Sequence, residues 1–353
     1  MDNGRQRLSK LMWILVALVV TALAAKPTTV EEFLAQPVEK HVEQLTGQAF
    51  VNYINEHQSF YRAEYSPKTE ARMKHWIMDS KFLVKDKEAE VLSHVVHDVT
   101  PPESFDARDQ WPECKSISLI HDQSACSSCW AVSSASAMTD ELCVQSNGTI
   151  KLILSDTDLL ACCDDCGGCA GGWPSKAYKW AEKRGVVTGG LYRQKNVCKP
   201  YVFYPCGEHE HEPYYGPCPE TDWNRPTCRW TCNYQYKKKY QEDKHFVKRS
   251  YYLPENETSI RQEIFVNGPV VAIFTVYDDF LHYKEGVYVH KWGSDRGSHA
   301  VKVIGWGEEK GLKYWLIANS LNTDWGDKGY FRFLRGTNHC NIETLVYGGI
   351  MKI

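Results

Sequence analysis

The chain has 353 residues, 43% of them hydrophobic and 24% charged, which excludes general disorder and leaves enough apolar mass for a sizeable core. Its 41 Lys and Arg against 44 Asp and Glu give a formal charge of −3, so no nucleic-acid partner is expected. Cysteine is the unusual residue: of 14, thirteen lie between Cys114 and Cys232 and only Cys340 lies outside.

At the N-terminus, Arg5, Arg7 and Lys10 precede an apolar run from Leu11 to Ala25, in which Ala22-Leu23-Ala24 fits an A-x-A cleavage site. This pattern predicts a secretory signal peptide over residues 1–24. The alternative is a membrane anchor, but such a run rises only ~22 Å as a helix against a hydrocarbon core of ~30 Å. No later run is apolar for about 18 residues, so the mature chain is expected to stay off membranes. Secretion makes disulfides the default state of the cysteines. It also makes Asn147 and Asn256, each heading an N-x-T sequon, candidate N-glycan sites, against the alternative of unused surface turns.

Residues 25–99 are polar and Cys-free, and a charged stretch from Lys81 to Glu90 leads to Pro101-Pro102, a linker signal. A removable pro-segment is expected here, with a small independent domain as the alternative. From Trp130 to Cys143 the residues Ala131, Ala135, Met138 and Leu142 recur at helical spacing, which predicts a helix opening just after Cys129 and stopping near Asn147-Gly148. Lys237-Lys238-Lys239 reads as a solvated loop. Beyond about residue 265, runs at 270–276, 300–304, 314–317 and 330–333 are β-branched or aromatic and separated by Gly and Asn/Asp clusters, which predicts strands. The body is therefore expected to be α+β, a helical half followed by a β half.

The cysteines admit three chemistries. Cys126-Ser127-Ser128-Cys129 matches a redox C-x-x-C, but no strand signal precedes it. Cys163, Cys166 and Cys169 have zinc or iron–sulfur spacing, but an oxidising compartment favours disulfides. The third is a thiol nucleophile: Cys129 stands at the mouth of the predicted helix, where the helix dipole stabilises a thiolate. It needs an imidazole and a group that orients the ring. His299 heads one predicted strand and Asn319 ends another, so the two side chains can meet across a cleft from the helix.

The segment from Gln123 to Trp130 resembles the nucleophile segment of papain-like cysteine proteases, and Gly297-Ser298-His299-Ala300 and Asn319-Ser320 resemble their His and Asn segments. His299 and Asn319 follow Cys129 by 170 and 190 residues, where the family signature has about 130–150. The excess is similar to that of the cathepsin B group, whose disulfide-closed occluding loop resembles Tyr204-Pro205-Cys206 to Cys218. Further segments agree: 104–108, 189–192, 278–280, 305–307 and 322–326. The resemblance implies a papain-like two-domain fold with a helical left half, a β-barrel-like right half, the active cleft between them and a pro-segment ahead. The peptidase domain would span residues 100–353, with the occluding-loop insertion at about 204–232.

The resemblance also implies roles. Cys129 would be the nucleophile, His299 its ion-pair partner and later proton donor, and Asn319 the group orienting His299. Gln123 would complete the oxyanion hole, Gly171 and Gly172 would line the cleft, and Trp325 would wall the primed side. The implied disulfides are Cys114–Cys143, Cys126–Cys169, Cys162–Cys228, Cys163–Cys166, Cys198–Cys232 and Cys206–Cys218. No cofactor or metal is implied. Implied partners are protein and peptide substrates, the chain's own pro-segment and cystatin-type inhibitors, for a monomer that is lysosomal or extracellular, with gut-lumen digestion as one setting.

Four departures from the family bear on function. Ser124 and Ser127 replace glycines, and Ser127 is expected to strain the backbone if its φ is positive. Leu321 replaces a tryptophan that shields the Asn–His contact, so weaker catalysis is expected. In Glu208-His209-Glu210-His211, His209 takes the second of two family histidine positions, one that holds a substrate's C-terminal carboxylate, and Glu208 takes the first. Asp122 is then expected to face the like charge of Glu208, loosening the loop and favouring endopeptidase over carboxydipeptidase activity. Leu345 replaces an acidic residue at the base of the main specificity pocket, so Phe or Leu should be preferred there over Arg. The competing class is a secreted binding protein that keeps the fold without catalysis.

Overall fold

The computed structural model describes residues 26–85 and 99–353; the expected signal peptide at 1–24 lies outside these residues. The central element is the helix Cys129–Gln145. It begins one residue earlier than its apolar spacing suggests and is buried on every side from Cys129 to Val144, where one apolar face was expected. Its two acids each have an internal partner. Asp140 pairs with Lys302 at 2.6 Å, and Glu141 accepts hydrogen bonds from the Tyr178 hydroxyl and the Gly349 N–H. A buried polar group is tolerated when it is hydrogen-bonded, so an all-round buried helix can carry acids. The helix ends where Asn147 and Gly148 adopt positive φ, 51° and 70°.

The β half is one open sheet. Its main strands run, in spatial order, Tyr61–Ala63, Tyr283–Tyr288, Tyr330–Leu334, Leu312–Ala318, Asp295–Glu309, Val270–Tyr277, Leu345–Met351 and Val247–Tyr252, and Phe105–Asp106 pairs onto Asp295–Glu309. Among the described residues no pairing closes it, so the expected barrel-like half is an open, mostly antiparallel sheet within the α+β class. All four expected strands are present. Asp295–Glu309 is far longer than its apolar stretch, so His299 lies within the strand rather than at its head, and Asn319 directly follows Leu312–Ala318.

The N-terminal residues 26–85 pack on this body. Their helix Gly47–His57 buries Phe50, Val51 and Ile54, and their strand Tyr61–Ala63 extends the sheet, with Tyr61 opposite Gly286. Phe33 meets Phe60 and Trp292 edge-on at 5.2 and 5.1 Å. Ser66 caps the helix Pro67–Met73 by accepting from the Thr69 N–H. After that helix the chain crosses the cleft between the two halves. Met78 exchanges two backbone hydrogen bonds with Ser298, both 2.8 Å, next to His299.

Candidate active site

Cys129 is the first residue of the central helix and is fully buried. The Ala300 N–H donates to its sulfur at 3.4 Å. Burial pushes the thiol up to about 12, against the opposing pull of the Ala300, Trp130 and Cys129 N–H groups. Ala300 follows His299 on the facing strand, so strand and helix start converge on the sulfur.

His299 Nε2 and Asn319 Oδ1 are 2.8 Å apart. The Ser320 N–H also donates to that Asn319 atom at 2.8 Å. A backbone N–H can only donate, which identifies the atom as oxygen and places the imidazole proton on Nε2. Nδ1 is then a bare lone pair, and among the described residues it has no hydrogen-bond partner. Burial lowers the His299 pKa to about 4, although the Asn319 bond and the nearby Trp76 carbonyl favour the charged ring. Thiol and imidazole are therefore both neutral in this covered state.

Gln123 is also fully buried and held from three directions. Its Nε2 donates to the Cys126 carbonyl at 3.0 Å and to the Trp76 carbonyl at 3.3 Å. Its Oε1 accepts from Ser320 Oγ at 2.7 Å, and its carbonyl accepts from the Tyr201 hydroxyl at 2.8 Å. Ser320 thus ties Gln123 to the Asn319–His299 pair. Ser320 lay within a recognised motif but had no assigned role; Tyr201 carried no signal at all.

The covering segment lies along the cleft walls. Gly171 has φ +116°, and a Cβ there would run into the Phe82 ring and stand 2.9 Å from Met78 Cβ. A Cβ at Gly172 would meet the Trp130 ring at 2.6 Å. Leu345 is buried opposite Ile273 and shares an apolar cluster with Met78 and Ala300. Trp325 packs among Phe280, Tyr283 and Phe331 and borders the groove where Arg72 meets Glu208. Leu321 is buried beside Trp76 and Ser124.

Two expectations are corrected. Asp122 does not face Glu208: His209, its side chain buried, lies with Nε2 3.4 Å from Asp122 Oδ2 and Nδ1 2.8 Å from Asp324 Oδ2. Glu208 turns outward to an ion pair with Lys68, and its carbonyl accepts from Arg72 at 3.1 Å. Two carboxylates attract the imidazole while two cations of the N-terminal residues attract Glu208, so the loop is pinned here. The acid that does face Asp122 is Glu212, whose pKa is raised by burial and then by Asp122. The second correction concerns strain. Ser127 is not among the described residues of positive φ, whereas Ser124 is, at 56°. An Asx-type bond from the Ser124 N–H to Asp122 Oδ1, 2.6 Å, holds it there.

Six disulfides are formed: Cys114–Cys143, Cys126–Cys169, Cys162–Cys228, Cys163–Cys166, Cys198–Cys232 and Cys206–Cys218. Cys129 and Cys340 are free. Asn147 and Asn256 are both exposed, and Asn256 Oδ1 caps the helix Glu257–Asn267.

With this geometry in hand, a family model described as papain family cysteine protease matches residues 101–350. Cathepsin B-like cysteine proteinase 5 of Caenorhabditis elegans is 43% identical over 345 residues, 96% of this chain and 98% of its own. The gut-specific cysteine proteinase of the same organism is 43% identical over 339 residues, 95% of this chain and 99% of its own. Among solved structures, proCathepsin B S9 from Trypanosoma congolense superposes with a TM-score of 0.74 at 34% identity, covering 88% of this chain and all of its own.

Proposed function

Because the chain belongs to the papain family of cysteine proteases, and within it to the cathepsin B-like group, it is a cysteine-type peptidase, and we propose that it is an endopeptidase made as a latent precursor in the secretory pathway. The observation that carries this reading is the Trp76 carbonyl, which lies 3.3 Å from Gln123 Nε2 and beside the His299 ring. A main-chain carbonyl of residues 26–85 stands where a scissile carbonyl would be polarised. Those residues are the removable pro-segment in this reading, and the mature peptidase is the unit from about residue 100 onward.

Removal of the segment lets water reach Cys129 and His299. Water relieves the burial that holds both groups neutral, so the thiol proton passes to His299 Nδ1 and a thiolate–imidazolium pair forms. The sulfur attacks the scissile carbonyl carbon, and the oxyanion accepts from Gln123 Nε2 and the Cys129 N–H. Collapse breaks the C–N bond, and His299 Nδ1–H protonates the departing amine, leaving a thioester on Cys129. Water then gives a proton to His299 and its hydroxyl to the acyl carbon, the C–S bond breaks to release the acyl product as a carboxylic acid, and the proton on His299 returns to the sulfur to regenerate the thiol. Asn319 keeps the ring turned so that Nδ1 faces the sulfur throughout.

Two specificity statements belong to this reading. Leu345 closes an apolar pocket that Met78 now shares, which suits Phe or Leu two residues before the cut and leaves Arg without a counter-charge. His209 is already shared between Asp122 and Asp324, with Glu208, Glu210 and Glu212 nearby in the chain, so a substrate's C-terminal carboxylate gains little there and carboxydipeptidase activity is weak. Likeness to a gut-specific relative supports digestion of ingested or lysosomal protein as the setting. Cystatin-type inhibitors fit the same uncovered cleft, and the glycans are assigned to Asn147 and Asn256.

The test is active-site titration of the processed protein with an epoxide thiol inhibitor. One equivalent should be taken up on Cys129, and Cys129→Ser should lose at least about 1,000-fold in kcat. Uptake on another residue, or undiminished turnover by the serine variant, would refute the assignment.

A further inference from the structure

Ser127 occupies a wall of the cleft that the mechanism above leaves unused. It is buried, and its N–H donates to the Cys169 carbonyl at 2.9 Å, in the strand of chain clamped by the Cys126–Cys169 disulfide. Among the described residues its hydroxyl has partners only in the covering segment: Oγ lies 3.0 Å from the Ile77 carbonyl and 3.3 Å from the His75 carbonyl. These two carbonyls flank Trp76, whose own carbonyl meets Gln123 Nε2 at 3.3 Å. Three successive peptide groups are thus gripped by two donors, Gln123 on the middle one and Ser127 on its neighbours.

We propose that Ser127 is a substrate-positioning residue whose hydroxyl, once the segment has left, donates to the substrate carbonyl adjacent to the scissile one. The inference rests on the function proposed above. It follows from the arrangement of donors rather than from the direction in which the substrate runs, because the acceptors lie on both sides of Trp76. A hydroxyl has one proton, so it serves one carbonyl at a time, and Ile77 marks the closer position. Ser127 does not touch the reacting atoms. Its effect is to hold the chain so that the middle carbonyl stays against Gln123, and this should appear in kcat/KM through KM. The left-handed backbone is absent at Ser127, so alanine and glycine both fit its conformation.

The test uses Ser127→Ala and Ser127→Gly in the processed protein with three peptides: a parent, and two analogues in which the carbonyl on one or the other side of the scissile one is reduced to methylene. The expected loss of kcat/KM on the parent is about threefold to tenfold, the worth of one neutral hydrogen bond. It should vanish on the analogue that lacks the acceptor, and Ser127→Thr should restore the parent value. A synthetic peptide of residues 66–85 should bind the Ser127→Ala protein about threefold to tenfold more weakly, a readout that needs no turnover. Equal losses on all three peptides, or unchanged kcat/KM in both variants, overturn the proposal. Weaker binding of the 66–85 peptide with unchanged kcat/KM also overturns it, since the hydroxyl would then serve the segment alone. Epoxide uptake on Cys129 separates these outcomes from failure of the peptidase reading, because it is independent of Ser127.

Discussion

The floor of the cleft and the loop that overhangs it hold their polar side chains by different means. Cys129 opens a helix, His299 lies within a strand and Asn319 directly follows one, each on an element buried against another. His209 lies in residues 199–239, which contain no helix or strand. That stretch is fixed by Cys162–Cys228, Cys198–Cys232 and Cys206–Cys218 and by ion pairs from three parts of the chain. Backbone hydrogen bonding and apolar burial make the floor insensitive to which charges surround it. The loop depends on charge partners, so it is where single charge changes should act on geometry.

The largest expected effect tests whether the floor has any pH response of its own. Burial lowers His299 from 6.5 to about 4, so a state with the segment lifted binds a proton more readily than the covered one. The covered state therefore keeps its full stability above about 6.5 and loses it as pH falls toward 4, on the order of a hundredfold in the equilibrium. Hydrogen-exchange protection factors of residues 66–85 in a Cys129→Ala precursor, taken against the intrinsic exchange rate at each pH, should fall by that order between pH 7 and pH 4; a flat profile would place all acid sensitivity in the loop. Next, Leu345→Glu puts a carboxylate into the apolar pocket. The ratio of kcat/KM for Arg over Phe two residues before the cut should rise about tenfold to a hundredfold, with the thiol titre unchanged. The smallest effect belongs to the loop surface. Lys68→Ala removes the partner that lowers the exposed Glu208 carboxyl, and inhibition by an added 66–85 peptide should weaken only about twofold to threefold. With Glu208 held below its ordinary 4.5, that contribution is present above this pH and fades as pH falls through the lowered value.

The legibility of the molecule followed the same division. Cys129, His299, Asn319 and Gln123 could be found because each stands in a short motif, which for all but Gln123 lies on or directly after a regular element, and the strands at 270–277 and 312–318 announce themselves by β-branched and aromatic runs. Tyr283–Tyr288 did not, since Lys284, Glu285 and Gly286 interrupt it and its edge is completed by Tyr61–Ala63, far away in sequence. The exchange of partners at Glu208 and His209 was equally hidden. Which of two adjacent side chains turns inward is decided by Asp122 and Asp324 on one side and by Lys68 and Arg72 on the other. The strain misplaced at Ser127 sits at Ser124 because the Asp122 side chain draws in the Ser124 N–H, a local bond that residue identity does not reveal.

All six cross-links lie between Cys114 and Cys232, and among the described residues the sheet from Val247 onward carries none. The two halves therefore differ in their vulnerability to their surroundings. A thiol-rich medium would loosen the wall bearing Cys129 and the overhang while the strands bearing His299 and Asn319 kept their pairing, and the enzyme would lose alignment across its gap well before it lost its sheet. Its working life is then set by the redox poise of wherever it works.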